Sequence, residues 1–121
     1  MTLSYFDPLS TPGRKEGTSI QSISGNGTTA ATATPIVADT GWTVVIVDAE
    51  TNNTAVILPS GMSIGDLIET SGSSSAQVFP PSGEGFGFAT FTGSESVSPG
   101  GSSILLRKIT STQWGIVAQQ G

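Results

Sequence analysis

The apolar positions of the chain fall into short runs separated by turn residues, and the densest of them lie within residues 42 to 59, WTVVIVDAETNNTAVILP. One run (Val44, Val45, Ile46, Val47) meets a polar turn from Asp48 to Thr54, and a second (Ala55, Val56, Ile57, Leu58) follows and stops at Pro59. Two β-branched runs joined by an Asn-rich turn predict a β-hairpin. Its strands are apolar at consecutive positions rather than alternating. That places one face in the body of a sandwich and the other at or near a subunit contact.

Ahead of this stretch, Thr18 to Ser24 (TSIQSIS) predicts a short strand, and Gly25-Asn26-Gly27 a turn, because Gly and Asn tolerate positive φ. Thr28 to Thr34 is low in bulk and suits a flat strand or an extended stretch; Pro35 then resets the chain before Ile36-Val37. After the hairpin, Pro59-Ser60-Gly61 turns the chain. Met62 to Thr70 predicts a strand, since Gly65 and the surrounding Ser and Thr weaken the helical spacing of Ile64, Leu67 and Ile68. Ser71 to Ser75 is a loop tip, and Ala76 to Phe79 is a strand closed by Pro80-Pro81-Ser82-Gly83. Leu58-Pro-Ser-Gly and Pro80-Pro-Ser-Gly thus punctuate the chain alike about 22 residues apart, a spacing that fits a strand, a loop and a strand.

Glu84 to Thr92 places Phe86 and Phe88 on one strand face with Gly85 and Gly87 opposite, and Phe91, out of phase, marks a bulge. Beyond the turn Pro99-Gly100-Gly101, Ser103 to Ile109 and Gln113 to Ala118 predict a last hairpin, with Trp114 capping one end of the core. About eight to ten short strands at this spacing predict an all-β fold: a single small β-sandwich or a jelly-roll or barrel-like domain over residues 18–121. Val45, Val47, Ile57, Phe86, Phe88 and Trp114 are its expected core or oligomer-interface residues.

Residues 1–17 have no sustained period, and Pro8, Pro12, Gly13 and Gly17 favour an extended N-terminal arm. Two readings of it stand: a disordered terminus, or a strap whose anchors Leu3, Tyr5, Phe6 and Leu9 dock on a neighbouring protein. Arg14 and Lys15, with Glu16, would mark the hinge between arm and body and add to the partner contact.

Composition narrows the function classes. Ser and Thr make up roughly a quarter of the 121 residues, 16 are Gly, and 11% are charged, a balance suited to an all-β chain rich in turns. The net charge is −5 and the only basic residues are Arg14, Lys15, Arg107 and Lys108, which disfavours nucleic acid and acidic membrane surfaces as partners. No Cys and no His are present. Thiolate and imidazole metal sites, cysteine nucleophiles and imidazole bases are therefore excluded, and disulfides contribute nothing. The opening residues carry no secretory pattern, so synthesis in the host cytoplasm is expected.

Candidate chemistry is sparse. Asp48, Glu50, Asn52 and Asn53 resemble hard-cation ligands, but the spacing is not that of an EF-hand and these are ordinary turn residues. The scattered carboxylates come without a sizeable cleft or an aromatic sugar platform, and the serines have no activating base. No enzyme activity and no cofactor is expected. Arg107 and Lys108 read as an outward face near a strand end, or else as an ionic contact with an acidic partner.

From Ser24 onward, SGNGTTAATATPI, the valine-rich strand with VILP, VFPPSGEGF and SVSPGGSSILLRKITSTQWGIV follow one another in an order that resembles a small all-β domain recurrent among tailed-phage virion proteins. The resemblance covers about four fifths of the chain and rests on strand order and turn chemistry rather than on a catalytic motif. It implies a capsid decoration (cement) protein or a fibre module, commonly trimeric. A homotrimer on the outer head surface, with the major capsid protein as partner, is the main expectation. A receptor- or glycan-binding module with exposed rings at Phe86, Phe88, Phe91 or Trp114 is the alternative.

Overall fold

The computed structural model describes residues 15–38, 40–87 and 95–120; the expected anchors Leu3, Tyr5, Phe6, Leu9 and Arg14, the side chain of Lys15, and Phe88 and Phe91 lie outside them. The described residues form β1 (Lys15–Ser24), β2 (Thr34–Pro35), β3 (Thr40–Asp48), β4 (Ala55–Ile57), β5 (Leu67–Gly72), β6 (Gln77–Phe79), β7 (Gly85–Phe86), β8 (Ser103–Thr110) and β9 (Gln113–Gln120). β1 opens at Lys15, so the last residues of the expected arm segment belong to the sheet.

The all-β expectation holds, but the arrangement is a short solenoid rather than a sandwich, jelly roll or barrel. A six-stranded sheet runs β1-β3-β5-β8-β9-β7 and a three-stranded sheet runs β2-β4-β6. β1, β3 and β5 pair in parallel, and so do β2, β4 and β6. The chain therefore alternates between the sheets, and each circuit lays one strand on each. Thr34 lies beside Val56 and Val56 beside Val78, a step of 22 residues both times. The antiparallel pairings β5–β8 and β8–β9 then end the winding. The expected last hairpin is present as β8 and β9.

The expected hairpin at residues 42–59 is absent: β3 and β4 belong to different sheets and do not pair. The polar turn between them folds on itself instead. Glu50 N–H donates to Asn53 O at 3.1 Å and Asn53 N–H to Glu50 O at 2.8 Å, with Asn52 left-handed at φ 64°. Leaving this corner, the chain joins a ladder in which Thr54 N–H donates to Gly27 O and Gln77 N–H to Thr54 O, both at 2.9 Å. Gly25 permits that stacking. A Cβ there would stand 2.7 Å from Asn53 O, so a side chain would push successive corners apart.

The repeated Pro-Ser-Gly segments form corners of the same kind one circuit apart, with Gly61 at φ 76° and Gly83 at φ 81° supplying the left-handed residue that ends each turn. Beside them, Ile36 N–H donates to Ile57 O and Leu58 N–H to Phe79 O, stacking buried Ile36, Leu58 and Pro80. The core fills the space between the sheets. Val45, Val47, Ile68, Ile104, Leu106 and Trp114 come from the larger sheet, while Ile36, Val56, Leu58, Ala76 and Val78 come from the smaller sheet and the corners. The edge of β6 is covered where Val78 and Val97 exchange backbone hydrogen bonds of 2.8 and 3.0 Å.

One core position is chemically mismatched. Thr70 is fully buried between Val45 and Ile104, and its hydroxyl has no partner. Thr70→Val keeps the branched shape and removes the stranded hydroxyl. It is expected to raise stability by about 1 kcal/mol, read as a higher urea midpoint at unchanged m-value.

Candidate interaction surface

Strand parity makes the larger sheet two-faced. In β3, Thr43, Val45 and Val47 point into the core, whereas Trp42, Val44, Ile46 and Asp48 point away from it. The registers carry the outward parity across neighbouring strands. One row runs Ile20, Val44, Glu69, Leu105, Ala118; the next runs Trp42, Leu67, Arg107, Gly115; a third runs Ser22, Ile46, Ser71, Ser103. The outer face is thus apolar along β3 and at Ile20, Leu67 and Leu105, with Glu69, Arg107 and a row of serines among them. Ile20 is 71% exposed, Ile46 47% and Trp42 39%, while Val44, Leu67 and Leu105 are half-buried by their neighbours. Ile109 lies across Gly115, occupying the space a side chain there would take.

Two charges of opposite sign interrupt the centre of this face, and Asp48 lies at the end of β3. Glu69 on β5 and Arg107 on β8 are diagonal neighbours, because Leu67 stands opposite Arg107 and Glu69 opposite Leu105. Among the described residues neither forms an ion pair, whereas Lys108 and Glu84 do.

That second pair lies inside. Lys108 Nζ contacts Glu84 Oε1 at 2.6 Å, and Trp114 Nε1–H donates to the same oxygen at 2.9 Å. The ammonium also stands 5.5 Å from the centre of the Trp114 ring. Glu84 comes from the loop before β7, and Lys108 and Trp114 from facing positions on β8 and β9, so the cluster braces the loop against the closing hairpin. Lys108 is only 2% exposed, which corrects the expectation of an outward face. Adjacent strand residues point to opposite sides, and of the two basic residues only Arg107 is outward.

Five residues of the expected core or interface set are described. Val45, Val47 and Trp114 are buried core, Phe86 packs half-buried against that core, and Ile57 is half-buried on β4. The outward row of β3 and its neighbours on β1, β5 and β8 went unnamed in the sequence, although the alternate positions of WTVVIV carried the signal. The turn bearing Asp48, Glu50, Asn52 and Asn53 is an exposed corner, and no group of three carboxylates with metal-holding geometry occurs among the described residues. Comparison with protein-family models and with curated proteins gave no match.

Proposed function

We propose that the chain is a structural protein of a tailed-phage virion, a capsid decoration protein that forms trimers on the outer head surface and cements the major capsid lattice. The observation that carries it is the apolar outer face of the larger sheet, which has no cover among the described residues and which a free-standing soluble domain has no reason to keep. The resemblance of residues 24 to 121 to virion domains supplies the setting. In this mechanism the solenoid is a short rigid body, and the arm reaches onto the capsid with Leu3, Tyr5, Phe6 and Leu9 as anchors and Arg14 and Lys15 beside them. Three weak arms on one trimer bind far more tightly than one.

Of the four rings that the glycan-binding alternative needs exposed, Phe88 and Phe91 lie outside the described residues, and the other two are not favourably placed for it. Trp114 is buried with its N–H already committed to Glu84, and Phe86 packs on the core. Trp42, the exposed ring among the described residues, stands between Thr18 and Leu67 in the sheet.

Deleting residues 1–14, which spares β1, is expected to abolish attachment to empty capsid shells of the encoding phage while leaving the assembly state of the body unchanged. Co-sedimentation with shells measures this, and undiminished attachment rejects the arm mechanism.

A further inference from the structure

We infer that the outer face of the six-stranded sheet is covered by further copies of this same chain, and that Glu69 of one copy pairs with Arg107 of the next. The inference deepens the preceding proposal and rests on it only for the number of copies.

Three features select this occupant. The face is apolar at Ile20, Trp42, Val44 and Ile46 on β1 and β3, and again at Leu105 and Ile109 on β8, so a partner must be apolar over the same extent. Its two central charges are opposite in sign and form no ion pair among the described residues. Covering them with a purely apolar partner would strand both in a dry contact, at a heavy desolvation cost. A second copy carries the complement of each. Around a three-fold axis every Glu69 meets the next copy's Arg107, and both central charges of each copy are matched.

The size fits as well. Five strands spaced about 4.8 Å apart, each presenting about six residues at about 3.3 Å per residue, give a face of about 500 Å² in projection. Side-chain relief brings its accessible area toward the roughly 800 Å² per partner of a standard interface. The other described charges lie away from the centre of the face. Lys108 and Glu84 are satisfied inside, Asp66, whose carboxylate accepts the Ser63 N–H at 3.0 Å, is buried at the corner before β5, Asp48 and Glu50 are exposed at the corner that ends β3, and Glu95 lies in the segment before β8.

A charge-swap cycle on the full chain, without capsid shells, tests the assignment. Sedimentation equilibrium is run on the wild type, E69R, R107E and the E69R/R107E double variant. Each single variant places like charges across the contact and is expected to weaken self-association at least tenfold, whereas the double variant is expected to recover to within a few-fold of wild type. Trp42 fluorescence gives a second readout, shifting to the blue as the face is covered, and the buried Trp114 reports that each variant is folded. A wild type that stays monomeric at high micromolar concentration overturns the inference, as do single variants that associate normally or a double variant no better than either single. Shell attachment through this face by a monomeric chain would give the place to the capsid protein instead. That result would overturn the inference while leaving the virion reading intact.

Discussion

Replacing Lys108 with methionine is expected to lower folding stability by about 3–5 kcal/mol. The methionine keeps the aliphatic stem and its packing but removes the ammonium, so Glu84 is left as a buried carboxylate whose remaining side-chain partner is the indole N–H of Trp114. An isolated charge at that depth is far costlier than a neutral polar group. The double variant Glu84→Leu/Lys108→Met is expected to regain most of the loss, since removing both members of a buried pair takes away the desolvation cost together with the attraction. Urea unfolding of wild type, single and double variants reads the coupling directly. A double variant as unstable as the sum of its singles would mean that the pair does not act as a unit.

Adjacent substitutions in β3 are expected to do opposite things. Val45→Asp buries a carboxylate among Val47, Ile68 and Ile104 with no cation in reach, and the folded protein is expected to be lost, a destabilisation above about 4 kcal/mol. Val44→Asp places the same group on the outer face between Ile20 and Glu69. There the fold is expected to survive with a melting temperature within a few degrees of wild type, while self-association falls at least about tenfold. Thermal melts paired with sedimentation separate the two effects. Unaltered association of Val44→Asp would show that the outer face is not where copies meet.

This contrast revises what the valine-rich run meant. Its apolar character on both faces was legible, and the two faces are indeed a core side and an outward side. Its pairing was not. The corner at residues 49–54 closes through Glu50 and Asn53 much as a hairpin turn does, and nothing in so short a segment says whether the next strand returns alongside or crosses to another sheet. The decisive signal was longer in range: the Pro-Ser-Gly segments one circuit apart mark a repeating unit. Strand parity separates Arg107 from Lys108, although the two read together as one outward face, and the partner of Lys108, Glu84, lies 24 residues upstream where no local pattern points to it. Glu69 and Arg107 became neighbours only through the antiparallel register of β5 and β8.

The circuit, 22 residues on the smaller sheet and 24 then 25 on the larger, also sets how such a chain can change in length. Each circuit rests on the one before it through a parallel ladder and a stacked corner, and the only elements that differ are those that seal the last circuit, β7 to β9. Duplicating or excising one whole circuit preserves the parallel ladders and the inward rows, whereas adding or removing a single residue within a strand shifts its inward parity and exposes the core. Length in this architecture is therefore quantised, and a protein built this way evolves its height in units of a turn while keeping its cap and its outward face.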